Sequence, residues 1–372
     1  MTNNWYLGKI ANIKIYVHWS FLILLSWILI SFYMRHQDMR EALLGVLFIL
    51  IVFACITLHE LGHALTARRY GITTSRITLL PIGGLASMEK MPENPVHELW
   101  VALAGPAVNF VIAMVLGMVI YFTTGFPTLG SLQESMSLTA DNFLFQLFFV
   151  NMLLAVFNLI PAFPMDGGRV LRALLSMTTD RVRATAIAAS VGRFLAIGFI
   201  FFGIFNDFWL VFIGIFIYLG ASAEEYHEST GAALEGHTVA DVLMRQFRTL
   251  YPSQPLQRAV ELLLDSQDTE FIVLDINGAK AVGTLTSKDI LEGLTRFGKD
   301  ARISQAMQKK VLELSPKDPL SDIIQKMMME KIDIAPVYDG GQLVGVLDRN
   351  NIQEFLMVQA AVKKVGFKVA GT

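Results

Sequence analysis

Two histidines four residues apart, with a glutamate beside the first, stand at His59, Glu60 and His63. On a helix, positions i and i+4 share a face, so both imidazoles can grip one ion. Glu60 beside them can take a proton from a metal-activated water. The same H-E-x-x-H pattern occurs on ordinary surface helices as solvated side chains. The flanking sequence argues against that here: from Leu43 to Leu58 the only polar side chain is Thr57. Ionisable groups inside such a run are costly and mark function by default. A third candidate is Asp166, in Asn158-Leu159-Ile160-Pro161-Ala162-Phe163-Pro164-Met165-Asp166-Gly167-Gly168-Arg169. Two prolines and two glycines break the helix there. Asp166 is then either a solvated cap or the third ligand of a His₂-carboxylate zinc site with one position left for water.

Those residues need elements to carry them. The chain has 372 residues and is 53% hydrophobic, too apolar for an ordinary soluble protein. Its charges are uneven. Residues 1–223 hold 13 Lys/Arg and 11 Asp/Glu, and the remaining 149 hold 17 and 21. A membrane domain followed by a soluble one fits that asymmetry. The net charge of −2 gives no support to nucleic-acid binding. Cys55 is the only cysteine, which excludes an internal disulfide and a Cys-rich zinc site. The N-terminus does not read as a cleavable signal.

Six apolar stretches read as membrane spans: Trp19–Tyr33, Leu43 to about Thr66, Leu99–Phe122, Phe143–Ile160, Ala184–Phe205 and Phe208–Ala221. Sixteen residues separate Ala42 from His59, about 24 Å of helix, which puts the motif deep but near one side of the bilayer. Residues 5–17 alternate loosely and predict a short interfacial strand or hairpin. Ile77–Met88 reads as two short strands around a turn, either a cytosolic hairpin or one facing a cavity at membrane depth. Residues 123–141 form a polar loop. With a cytosolic N-terminus, Lys9, Lys14, Arg68, Arg69, Arg76, Lys90, Arg169, Arg172, Arg181 and Arg183 all fall inside. Six spans return the tail to the cytosol and put His59, His63 and Asp166 on one side.

The combination H-E-L-G-H, G-P-A-V-N at 105–109 and N-L-I-P-A-F-P-M-D-G-G-R resembles the site-2 proteases, intramembrane zinc metalloproteases, over residues 5 to about 222. The resemblance implies zinc on His59, His63 and Asp166 and a catalytic base at Glu60. It implies substrate or oxyanion contacts from Asn109, Asn158, Gly83 and Gly84. The 77–88 hairpin would pair with an unwound membrane-spanning protein substrate. The membrane would be the cell's inner or plasma membrane. The rival reading is a non-proteolytic membrane metal-binding scaffold or transporter, although no inverted repeat of broken helices is visible.

Residues 237–362 contain a repeat of about 62–64 residues. Its copies start at Val239–Met244 and Ile303–Met307. They continue through apolar helices at Ala259–Leu264 and Ile323–Met329 and strands at Phe271–Leu274 and Ala335–Tyr338. This tail is similar to a tandem CBS pair, a family that often binds adenine nucleotides. The resemblance places AMP or ATP at Thr286 and Asp289; the second copy has Asp348 and Asn351 instead. A dimerising pair without ligand is the other reading, and either would support a homodimer. The expected architecture is a polytopic α-helical membrane protein of about six spans with a short membrane-associated β-hairpin, followed by an α/β CBS module. The expected boundaries are 1–223 protease, 224–236 linker, 237–300 and 301–362 CBS domains, and 363–372 tail.

Overall fold

The computed structural model describes residues 4–81, 83–88, 92–123, 125–126, 138–139, 141–265 and 268–365. Most of the loop expected at 123–141 and of the tail at 363–372 lies outside them. The chain divides into two compact units, Met1–His227 and Glu228–Thr372.

In the first unit, strands β1 (Asn4–Ile10) and β2 (Ile13–His18) pair antiparallel around Ala11 and Asn12. Both turn residues have positive φ, which matches the twist of a two-residue hairpin turn. Helices α1 (Ser20–His36) and α2 (Met39–Arg69) follow. The Asp38 side chain caps α2 by accepting from Arg40 N at 2.8 Å. Strands β3 (Thr74–Leu80) and β4 (Gly83–Met88) then pair antiparallel. β2 and β3 run parallel, giving one sheet in the order β1-β2-β3-β4. Ile13, Ile15 and Val17 of β2 and Ile77 and Leu79 of β3 share a buried cluster with Phe53, Leu61 and Ala64 of α2. The sheet is thus fastened along the motif end of α2.

Helices α3 (Pro95–Thr123), α4 (Phe143–Asn158), α5 (Asp166–Ser176), α6 (Arg181–Phe205) and the greater part of α7 (Phe208–Leu234) complete the unit. α2, α3, α6 and α7 are long and apolar enough to cross a membrane. α1 and α4, also marked as spans in the sequence, are shorter apolar helices of 17 and 16 residues. α7 continues to Leu234 through residues expected as linker. Its Glu224 and Glu225 have arginine partners on other helices, which keeps that polar turn helical.

In the second unit, β5 (Thr249–Leu250), β6 (Glu270–Leu274) and β7 (Ala281–Thr286) form one sheet, and β8 (Ile334–Asp339) and β9 (Gln342–Asp348) another. Helices α8 (Leu256–Asp265), α9 (Ser287–Phe297), α10 (Ile303–Ala306), α11 (Leu320–Glu330) and α12 (Arg349–Val365) complete it. The leading segments are exchanged. Val239 and Val242 pack into the core of the second copy with Leu320, Val337 and Leu347. Ile303, Ala306 and Met307 pack into that of the first with Leu256, Phe271 and Leu285. Backbone bridges Met244↔Val346 and Thr284↔Gln308 follow the same exchange. Each copy therefore completes the other, and the repeat folds as one body.

Candidate metal centre

α2 places His59 and His63 on one face, both buried, with ring centroids 4.7 Å apart. After α4 the chain breaks at Pro161 and Pro164, and α5 opens with Asp166, also buried. A Cβ on Gly168 would stand 2.6 Å from Phe163 N, and one on Gly167 would overlap the carbonyls of Leu159 and Ile160. Only glycines let the first turn of α5 lie this close to the broken segment. Asp166 is thereby turned back toward α2.

The three side chains converge. His59 Nε2 and His63 Nε2 are 3.1 Å apart, and Asp166 Oδ2 lies 3.2 Å from the first and 3.1 Å from the second. Tetrahedral zinc with ligands at about 2.0–2.2 Å spaces its ligand atoms about 3.3–3.6 Å apart, so this triangle needs only a slight opening. Among the described residues it is the one group of three such side chains close enough to share an ion.

The outer nitrogens fix what the inner ones present. His63 Nδ1 lies 2.7 Å from Val101 O. A carbonyl only accepts, so Nδ1 carries the proton and Nε2 keeps its lone pair. For His59 the same result comes through a chain. Asn151 Nδ2 donates to Leu147 O at 2.8 Å, so Asn151 Oδ1 is the end that accepts from Asn109 Nδ2 at 3.4 Å. Asn109 Oδ1 then faces His59 Nδ1 at 2.8 Å and accepts its proton. Both histidines are set to offer Nε2 to a metal.

Space for the ion is left by Gly105 of α3. A Cβ there would overlap His63 Nε2 and stand 2.6 Å from His59 Nε2. A methyl group would fill the cradle the two nitrogens face. Donor types, tautomers and the bare glycine together fit a zinc ion.

The other sequence-selected residues divide. β4 passes over Glu60: a Cβ on Gly84 would come 2.7 Å from Glu60 Cγ. Gly83 opens β4 at φ 138°, and its Cβ would meet nothing within 4 Å. Asn109 is fully buried and gives His59 an orienting contact through Oδ1, while its Nδ2 donates to Asn151. Asn158 Nδ2 donates to Leu154 O of its own helix at 2.9 Å. Arg169 Nη1 sits 3.8 Å from Asp166 Oδ1. Asn151 was not selected. Its signal was available: between Leu147 and Phe157 it is the one polar side chain, the feature that marked the histidines.

In the second unit, Asp289 Oδ2 accepts from Thr286 N at 2.9 Å and Thr286 Oγ1 at 2.7 Å, a capping box that starts α9. Gln308 Nε2 also reaches both carboxylate oxygens at 3.1 Å.

Comparison with known proteins gives the family. The model of peptidase family M50 matches residues 47–199, and the CBS domain model matches 239–296 and 303–358. A zinc metalloprotease of Methanocaldococcus jannaschii is 32% identical over 351 residues, covering 93% of this chain and 94% of that protein. Stage IV sporulation protein FB of Bacillus subtilis is 30% identical over 166 residues, 44% of this chain and 48% of that one. The solved site-2 protease from Methanocaldococcus jannaschii aligns over 60% of this chain and 95% of its own at 37% identity, with a TM-score of 0.43. The chain belongs to peptidase family M50, the site-2 proteases, and carries a tandem CBS pair behind its protease domain.

Proposed function

We propose that this protein is a zinc-dependent endopeptidase that cuts peptide bonds in membrane-spanning proteins. The observation that carries the reading is the triangle of His59 Nε2, His63 Nε2 and Asp166 Oδ2, with each outer imidazole nitrogen bound to an acceptor. Those three residues would hold the metal. Zinc bound there supplies the Lewis acidity that activates water and polarises a carbonyl. Glu60, one residue from a ligand and not itself one, takes the proton from the attacking water and passes it to the leaving amine. Gly84 leaves Glu60 its room, and the edge position of β4 offers backbone groups to an extended substrate. A helical peptide bond is shielded by its own hydrogen bonds, so pairing with an edge strand also keeps the substrate unwound. Asn109 orients His59, and Asn158 remains a candidate contact for substrate.

The six apolar helices would all cross the membrane, with the β3–β4 pair beside it, both termini cytosolic and the chain in the plasma membrane. The protease domain would end near residue 223. The CBS pair would bind AMP or ATP near Thr286 and Asp289 and form homodimers. Calorimetry of the full-length protein with each nucleotide tests the first point, and absence of heat with both would remove it. The central test is Glu60→Gln. Cleavage of a model membrane substrate should fall by about 100-fold or more while zinc content stays at one per chain. Cleavage at the wild-type rate would defeat the reading.

A further inference from the structure

A buried arginine lies behind the metal centre and takes no direct part in it. Arg172 of α5 is 0% exposed, and so is its partner Glu98 of α3. Arg172 Nη2 and Nε lie 2.5 and 2.8 Å from Glu98 Oε1. Its Nη1 reaches Glu224 Oε1 of α7 at 2.6 Å, and its guanidinium carbon stands 5.1 Å over the ring of Phe163. Arg181 at the start of α6 holds the other oxygen of Glu98 at 2.7 Å.

The placement of these groups matters more than their number. Arg172 sits in the short helix that Asp166 opens, and Phe163 sits in the broken segment just before it. Glu98 lies one turn before Val101, the residue whose carbonyl sets His63. One guanidinium therefore ties the helix and the loop that present Asp166 to the turn of α3 that orients a second ligand. A buried carboxylate and guanidinium hold this geometry tightly, because neither has water to turn to.

We propose that Arg172, through Glu98, is a positioning residue that holds Asp166 against His59 and His63. The inference rests on the reading of those three residues as the zinc ligands. Outer-sphere partners of metal ligands are typically worth 10–100-fold in metal affinity. The test is zinc affinity of the full-length protein, measured against a competing chelator. Arg172→Met should weaken zinc by at least about tenfold, and Arg172→Lys should recover part of that loss. Arg193→Met serves as the control, since Arg193 pairs with Glu225 of α7 and Ser190 of its own helix α6. It should change zinc affinity less than about threefold, the ordinary spread for a site left intact. Should Arg172→Met not fold, the double variant Arg172→Met/Glu98→Met removes both charges together and is the one to measure. It should fold and still bind zinc at least about tenfold more weakly. Zinc binding at wild-type affinity in either folded variant would overturn the proposal. His63→Ala keeps that outcome distinct from failure of the site itself: if His63→Ala also binds zinc like wild type, the ligand assignment is what fails.

Discussion

Gly105→Ala adds one methyl group and replaces none of the proposed ligands, yet it should empty the metal centre. The added carbon would overlap His63 Nε2 and stand 2.6 Å from His59 Nε2. An ordinary carbon–nitrogen contact is about 3.4 Å or more, so His59 must retreat by about 0.8 Å and His63 by more. Metal sites tolerate ligand displacements of about 0.2 Å. Two of three ligands would therefore move by several times that limit, while the methyl occupies the cradle itself. Zinc affinity should fall by at least about 100-fold, or about 2.7 kcal/mol. Alanine is also a better helix former than glycine by about 0.5–1 kcal/mol, so α3 itself is not weakened by its backbone. The assay is zinc affinity of purified protein by chelator competition, with circular dichroism and cleavage of a model membrane substrate measured on the same sample. Helix content should be retained and cleavage lost. A Gly105→Ala protein that binds zinc with wild-type affinity would refute the placement of the ion between these nitrogens.

Three further outcomes are expected. Asn151→Leu removes the group that fixes Asn109 and should weaken zinc by about tenfold, checked by the same competition assay; unchanged affinity would show that His59 needs no such chain. Gly84→Ala puts a methyl 2.7 Å from Glu60 Cγ, and a displaced base of this kind should slow cleavage by about 100-fold with zinc affinity unchanged. In the second unit, burial, then the charges of Asp348 and Asp333, pushes the Glu270 carboxyl up to about 7 from the usual 4.5. The folded state thus keeps Glu270 protonated between those values while the unfolded state ionises, so this group costs stability progressively from about pH 4.5 to about 7. Glu270→Gln should raise the melting temperature of the full-length protein at pH 8 and leave it little changed at pH 4.5; the same shift at both would contradict the assignment.

The pairing of His59 with His63 was legible in the sequence because helix geometry dictates the spacing and such polarity is costly in an apolar run. Asp166 was legible because prolines and glycines announce a break. What supports them was less so. Asn151 and Asn109 act on His59 through a hydrogen-bond chain between three helices, and no local pattern encodes which helices meet. Gly105 was readable as a site of close approach, but the atoms that approach it are the Nε2 atoms of His59 and His63 on another helix. The parallel pairing of β2 with β3 joins residues separated by α1 and α2, a contact that alternation along each strand does not specify. In the tail, the helices and strands of each repeat follow from their own periodicity. The exchange of leading segments between copies does not, because both copies offer similar apolar faces.

The most direct measurement is anomalous diffraction at the zinc edge from crystals of the zinc-loaded protein. The expected result is one ion bonded to His59 Nε2, His63 Nε2 and Asp166 Oδ2 at about 2.0–2.2 Å, with Glu60 nearby and uncoordinated. An ion elsewhere, or one with the Asp166 carboxylate turned away from it, would contradict the central claim.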